Sequence, residues 1–380
     1  MNFDLDDQQQ MIRDSAREFA EKEIKPVAGE FDEKGVFPAD IVKKLGQLGF
    51  MGMMVPEEYD GAAMDAVSYA IAVEEISRCD ASVGVTMSVN NSLVCQPILD
   101  FGSEDLKKKY LPALAEGRHL GAFSLTEPEA GTDAGAVQCT AVLDGDEYVI
   151  NGTKIFVTNG GQADVILLFA STDRSMKTKG IAAFIVEKGT PGFSVGKKED
   201  KMGMRASDTS ELVFEDCRIP KENLLGKEGM GFKIAMSALD GGRIGIAAQA
   251  VGIGQACLEE AIKYSKQRKQ FGKPICEFQA IQWTLADMAT EIEAARLLTY
   301  KAAFQKDKGL RYSKEAAQAK LFASEAAVKA SINAVQIHGG YGYMKEYDVE
   351  RYFRDSKLTE IYEGTSEVQR LVIAASVLKG

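Results

Sequence analysis

Apolar residues recur at steps of three and four along the first third of the chain. Met11, Ile12, Ala16, Phe19, Ala20 and Ile24 form one such stripe, the spacing that lines up side chains on one face of a helix. Pro26 follows and ends that helix, because proline interrupts the backbone ladder. The same spacing over Ala39 to Leu48 and Ala66 to Arg78 predicts further helices. Ser103, followed by Glu104 and Asp105, predicts a helix start with a hydroxyl cap and acids at the positive end of the dipole. The chain therefore reads as helical from Asp6 to about Leu114.

The period then changes. Tyr148-Val149-Ile150, Asn151-Gly152 and Thr153 to Val157 predict a β-hairpin turning at Asn-Gly, a pair that favours the primed turn matching strand twist. Val165 to Ala170, Ile181 to Val186 and Glu211 to Phe214 are further short strand-like runs, and Gly226, Gly229 and Gly231 punctuate the exit from this region. From Phe232 the pattern is helical again. Phe278 to Gln305 and Ser313 to Ile337 are long, Ala-rich, amphipathic stretches suited to a bundle. A break at Gly339-Gly340-Tyr341-Gly342 leads into a short charged stretch, and Glu367 to Leu378 predicts a terminal helix. The expected organisation is α+β in three parts: helical over residues 1–120, β over 121–228 and helical over 229–380.

A length of 380 residues agrees with more than one core. The formal net charge of -11 argues against nucleic acid as a partner, since such binding needs a basic surface. Residues 1–10 are polar and acidic, unlike a targeting segment, and the uncharged run Ile244 to Leu258 is too short to cross a bilayer. That run is rich in Gly and Ala, which suggests close helix packing. The six cysteines are scattered, with no Cys-x-x-Cys pair, so reduced, mostly buried thiols in a cytoplasmic protein are expected. His119 and His338 stand far apart in sequence, which disfavours a histidine-based zinc site or a Ser-His-Asp triad; no metal is expected.

Several segments could carry chemistry. Ile361-Tyr362-Glu363-Gly364-Thr365-Ser366-Glu367 sets a carboxylate between an aromatic ring and a bare glycine. Apolar surroundings raise a carboxyl pKa, and glycine lets a ligand approach the backbone. A base facing a ligand is one reading; a helix start capped by Thr365 or Ser366, with Glu363 solvated, is the other. The loop Leu125 to Gly135, which includes Thr126, Gly131 and Thr132, could offer amides and hydroxyls to a phosphate or a heteroaromatic edge, or be a polar turn cluster. Phe156 and Thr158, two apart on a strand, could sandwich and hydrogen-bond a planar cofactor, or Phe156 could be core. Arg268 to Ile275, with Phe271 at its centre, could clamp an anion beside a ring, or be a basic helix end closed by glycine. Gln336-Ile337-His338-Gly339-Gly340 joins an amide to bare backbone, with His338 read as an interior histidine. Asp240 and Arg243, one helical turn apart, fit an ion pair or a ligand contact equally. Neither Gly-x-Gly-x-x-Gly nor a Walker loop occurs, which disfavours a doubly wound nucleotide fold.

Taken together, these segments stand in the order and rough spacing of the acyl-CoA dehydrogenase family. The resemblance covers essentially the whole chain and is greatest to short-chain, butyryl-CoA-type bacterial members. It implies a β-barrel-like middle domain and a C-terminal four-helix bundle. It also implies an FAD enzyme that oxidises an acyl-CoA thioester to the trans-2-enoyl-CoA, exchanges electrons with an electron-transfer flavoprotein and assembles as a homotetramer. By this resemblance Glu363 removes the α proton while the β hydrogen leaves as hydride to flavin N5. The thioester carbonyl would accept bonds from the Glu363 N–H and a flavin ribityl hydroxyl. Phe123, Leu125, Thr126, Gly131, Thr132, Phe156 and Thr158 are similar to flavin contacts, although most relatives carry Trp at the Phe156 position. Arg268, Phe271, Gln279, Gln336, Gly339, Gly340, Thr365 and Glu367 resemble FAD contacts, the first six holding diphosphate and adenosine across a subunit boundary. Thr132, Asp240 and Arg243 resemble CoA contacts, with Tyr362 and Gly364 lining the acyl site. Some relatives place the base on the earlier helix, at the position held here by Gly242. A longer acyl-CoA oxidase and a silent assembly subunit are the alternatives; the length disfavours the first and the intact Glu363 the second.

Overall fold

The computed structural model describes residues 4–379. Seven helices come first: α1 (Asp7–Phe19), α2 (Ala28–Lys34), α3 (Ala39–Gln47), α4 (Ala66–Cys79), α5 (Ala81–Ser88), α6 (Gln96–Phe101) and α7 (Glu104–Ala115). Asp6 and Gln9 form a reciprocal capping box at the start of α1. Ser103 caps α7 by accepting from Leu106 N. A π-helical turn, Val89–Cys95, joins α5 to α6. Such turns shift side chains out of α-helical register, and this one delivers Leu93 to the site described below. Asn90 and Asn91 fix it: Asn91 Oδ1 accepts from Met53 N at 2.8 Å and Asn90 Oδ1 from Gly121 N at 2.9 Å.

Eight strands follow: β1 (Gly121–Ser124), β2 (Thr140–Asp144), β3 (Glu147–Thr158), β4 (Val165–Ser171), β5 (Ile181–Glu187), β6 (Phe193–Lys198), β7 (Thr209–Pro220) and β8 (Leu224–Leu225). They form one mixed sheet in the order β6-β7-β3-β2-β4-β5-β8, with β1 lying parallel to β4. β4 is buried along its whole length and β5 along nearly all of it, which is why both read as continuous apolar runs rather than alternating ones.

The hairpin expected at Asn151-Gly152 turns elsewhere. β3 runs straight through that pair, and the β2–β3 turn is Gly145-Asp146, between the paired residues Asp144 and Glu147. Asn151-Gly152 instead lies opposite a bulge in β7, where the register slips between Ile150–Cys217 and Gly152–Phe214 and β7 carries the extra residue. Asn151 exchanges hydrogen bonds with Asp216, and Gly152 is needed because a Cβ there would lie 2.7 Å from Cys139 Cα. Glycine after asparagine signals positive φ or close backbone approach, and here both apply, with Gly152 at φ 150°.

The remaining elements are α8 (Gly231–Gln267), the two-residue strands β9 (Lys269–Gln270) and β10 (Lys273–Pro274), α9 (Gln279–Asp307), α10 (Ser313–His338), α11 (Val349–Thr359) and α12 (Ser366–Val377). The charged stretch after Gly342 is therefore helix α11, which buries Val349 and Tyr352 on one side. α8 packs against α4, α9 and α10, so the two helical regions share one hydrophobic core. A second core joins the sheet to α6, α7 and the start of α8. Phe123 packs against both. Five of the six cysteines are buried and all are unpaired.

Candidate active site

Glu363 lies on the turn between α11 and α12, and this turn is held in an uncommon shape. Glu363 has φ 51° and Gly364 φ 91°, two successive left-handed residues. A non-glycine residue there costs roughly 1–3 kcal/mol of local strain, so surrounding bonds must hold it. Lys320 Nζ, from α10, donates to Gly364 O at 2.8 Å. Gln369 Nε2, from α12, donates to Gly364 O at 2.8 Å and to Glu363 O at 3.2 Å. Tyr362 Oη donates to Gln249 Oε1 on α8, and Gln249 Nε2 donates to Ala81 O at 2.7 Å. Thr365 caps α12 by accepting from Val368 N.

The carboxyl group of Glu363 is aimed at α8. A Cβ on Gly242 would lie 2.0 Å from Glu363 Oε2 and 2.8 Å from Leu93 Cδ2. Oε2 is buried and has no hydrogen-bond partner among the described residues. Burial pushes this carboxyl up to about 7, against the opposing pull of the Lys320 and Arg243 cations. Tyr69 is raised to about 12 by burial, and Tyr362 is raised further for the same reason, so both neighbours stay neutral. The cap half of that reading holds and the solvated carboxylate does not: Thr365 starts α12 as its N-cap, while Glu363 Oε2 is buried. One turn of α8 carries Asp240 and Arg243, paired at 2.5 Å, with the Ser313 hydroxyl on the other Asp240 oxygen. Arg243 Nε is buried and has no partner among the described residues.

A second group of residues lies where the loop after β1 meets β3. Ile155 N donates to Thr126 O at 2.9 Å, and Lys154 Nζ donates to Leu125 O at 3.0 Å. Lys154 is fully buried and pairs with Glu127 at 2.6 Å. Glu127 also accepts from Gln138 N at 2.5 Å and Cys139 N at 3.0 Å, so the buried pair is well supplied with donors. This clamp sets Leu125 and Thr126 beside Phe156. Phe156 takes φ 56° at a second β3 irregularity, which leaves its ring 61% exposed rather than in the core. Thr126 and Thr158 are half-buried, while Gly131 and Thr132 are exposed. Phe123 stacks obliquely on Phe169, ring centroids 4.9 Å apart.

The third group occupies one end of the helical bundle. Phe271 and Gly272 form the tip of the β9–β10 hairpin, both with positive φ, and the Phe271 ring is 94% exposed. The Arg268 guanidinium sits over the Tyr341 ring, 5.7 Å from its centroid. Arg268, His338, Gly339 and Gly340 line an open pocket of about 580 Å³. His338 is interior, its Nδ1 2.8 Å from Ala334 O and its ring stacked on Tyr264. Gln279 and Gln336 are exposed at the starts and ends of α9 and α10 respectively, and Glu367 is exposed in the first turn of α12.

Family models for the acyl-CoA dehydrogenase N-terminal, middle and C-terminal domains match residues 6–118, 122–217 and 229–378. The chain belongs to the acyl-CoA dehydrogenase family. It is 56% identical to the short-chain-specific acyl-CoA dehydrogenase of Clostridium acetobutylicum, over all of both chains. The butyryl-CoA dehydrogenase structure from Megasphaera elsdenii superposes with a TM-score of 0.98 at 52% identity, again over both whole chains. A chain solved in work on the electron transferring flavoprotein of Acidaminococcus fermentans and flavin-based electron bifurcation superposes with a TM-score of 0.99 at 56% identity, with full coverage of both. Among the described residues of this acyl-CoA dehydrogenase, no helix is long and apolar enough to cross a membrane.

Sequence reasoning missed Lys320, Gln369 and Gln249, the groups that shape the Glu363 turn. Lys320 left a signal. It lies on the same buried face of α10 as Ala316, Ala317, Ala319 and Ala323, and a lysine in an apolar stripe needs a partner inside the protein.

Proposed function

We infer that this enzyme carries out FAD-dependent α,β-dehydrogenation of a short-chain, butyryl-CoA-like acyl-CoA to the trans-2-enoyl-CoA, with Glu363 as the α-proton base. The observation that carries the reading is the buried, unpartnered Glu363 Oε2 packed against the bare α-carbon of Gly242. A carboxyl poised near neutrality can take a proton at working pH and return it later. The Glu363 N–H has no acceptor among the described residues, so it can donate to the thioester carbonyl and stabilise the charge that grows there as the α proton leaves. One well-placed donor of this kind is worth about 3 kcal/mol. Asp240 and Arg243 flank Gly242 on the same turn of α8 and fit contacts to the CoA moiety, with Thr132 joining from its exposed loop. Tyr362 and Gly364 border the acyl chain.

The residues present fit FAD. Phe156 offers an exposed ring, Leu125, Thr126 and Thr158 offer an edge of backbone and hydroxyl groups, and no atom lies within 4 Å of a Cβ built on Gly131, Gly339 or Gly340. Arg268, Phe271, Gln279, Gln336, Gly339 and Gly340 would hold its diphosphate and adenosine from a neighbouring subunit of a homotetramer, with Thr365 and Glu367 as further contacts. When bound, FAD would supply the acceptor for the β hydrogen, taken as hydride. An electron-transfer flavoprotein is the electron partner, in line with the solved relative above, and unpaired thiols agree with a cytoplasmic setting. The test is anaerobic mixing of the yellow holoenzyme with butyryl-CoA. Bleaching with formation of the enoyl-CoA is expected. Rapid reoxidation by oxygen would indicate an oxidase, and no bleaching with any acyl-CoA would refute the reading.

A further inference from the structure

We propose that Lys320 is a positioning residue for Glu363: its buried ammonium pins the Gly364 carbonyl and supplies the positive charge that keeps the neighbouring carboxylate available as a base. The proposal rests on Glu363 being the base.

The geometry is unusual for a lysine. Its side chain is fully buried, and no carboxylate lies within ion-pair distance of it among the described residues. Its hydrogen bond goes to a main-chain carbonyl, Gly364 O at 2.8 Å. Burying an ammonium without a directly paired anion is costly, so a fold that keeps one must use it or lose stability for nothing. Gly364 O accepts a second bond, from the fully buried Gln369. Two donors on one oxygen fix the Gly364–Thr365 peptide, and with the Gln369 bond to Glu363 O they hold the two left-handed residues in place.

The charge matters separately from the bond. Among the groups acting on Glu363, burial is the largest and raises its pKa to about 7; Lys320 comes next and Arg243 after it, both opposing that rise. Arg243 is already engaged by Asp240 at 2.5 Å, which leaves Lys320 as the less compensated cation. Tyr69 from α4 and Tyr362 on the turn itself face the carboxyl as neutral phenols. Around Lys320 the other charged groups are Arg243, Glu360 and Glu367. Burial brings Lys320 down to about 8, so it remains cationic at neutral pH. Carboxyl and ammonium thus each shift toward neutrality, and each limits the shift of the other.

The test uses three variants of the holoenzyme, followed by the pH dependence of single-turnover bleaching with butyryl-CoA. Lys320→Gln keeps a donor near the Gly364 carbonyl and removes the charge. Its acidic limb should move up by about one pH unit, so the rate below the limb falls about tenfold, while the high-pH plateau stays near wild type. Lys320→Met should shift the limb equally and also lower the plateau. Lys320→Arg should restore the wild-type limb. Loss of flavin content or melting temperature with an unmoved limb would make Lys320 merely structural and overturn the proposal. If neither neutral variant folds, Gln369→Leu decides. It removes a donor but no charge, so the plateau should fall and the limb stay; a shifted limb there would refute the assignment of the charge to Lys320. Glu363→Gln, measured in parallel, separates the two ideas: if it is inactive while the Lys320 variants keep the wild-type limb, only the role of Lys320 fails.

Discussion

Glu363 is held between two requirements, dryness and charge. Burial raises its pKa from 4.5 to about 7, so the folded state takes up a proton that the unfolded chain releases. Its contribution to stability is therefore complete below about pH 4.5 and is lost as pH rises through about 7. Glu363→Gln removes this dependence. The variant should melt close to wild type near pH 5 and a few degrees higher near pH 8; a melting difference that does not change with pH would contradict the burial argument. Gly242 constrains the same carboxyl from the other side. Gly242→Ala places a methyl 2.0 Å from Glu363 Oε2 and must displace it. Misplacing a reacting group by about 1 Å can cost about a hundredfold, so turnover should fall by that order with flavin content retained, as steady-state kinetics with butyryl-CoA would show. At this scale the sequence was informative where neighbours are local. Tyr362, Glu363 and Gly364 offer a tuned carboxylate as one of two readings, whereas Lys320 and Gln249 reach the turn from other helices, and no local pattern carries that.

Elements set the proposed flavin edge. The loop after β1 is tied to β3 by Lys154 and Glu127, a fully buried pair at 2.6 Å. Removing one member leaves the other charge buried, which typically costs 3–5 kcal/mol. Lys154→Met should therefore lower the urea midpoint substantially and release flavin, since Leu125 and Thr126 lose their anchor; an unchanged midpoint would refute the clamp. Most helices were legible because their apolar stripes are long: α4, α9 and α10 begin and end within a residue or two of the periodic runs. Three features were not. Asn151-Gly152 carries a turn signature but lies within β3 opposite a bulge in β7, and the actual turn uses the equally turn-prone Asp144-Gly145-Asp146. β6 is largely exposed and polar, so it lacks the alternation that marks a half-buried strand. α11 is dominated by charge, which masked its narrow buried face.

The whole molecule is built around two cores, one shared by both helical regions and one joining the sheet to α6 and α7. The order helical, β, helical was visible in the sequence, but the sharing of a core between its first and last parts was not, because contacts between α4 and α8 are distant along the chain. Trp283, Phe304, Phe322 and Ile332 are exposed on α9 and α10 and Phe271 on the hairpin tip, apolar side chains that another chain could cover. Such cover fits the proposed homotetramer, in which flavin would be held across a subunit boundary. Arg268→Ala should then lose flavin on gel filtration and shift sedimentation toward smaller species; full flavin retention would remove Arg268 from that boundary. The most direct test of the central claim is stopped-flow reduction of the assembled holoenzyme by butyryl-CoA, comparing wild type with Glu363→Gln. The account predicts that the variant still binds FAD and butyryl-CoA but bleaches several orders of magnitude more slowly. Bleaching at a rate near wild type would contradict it.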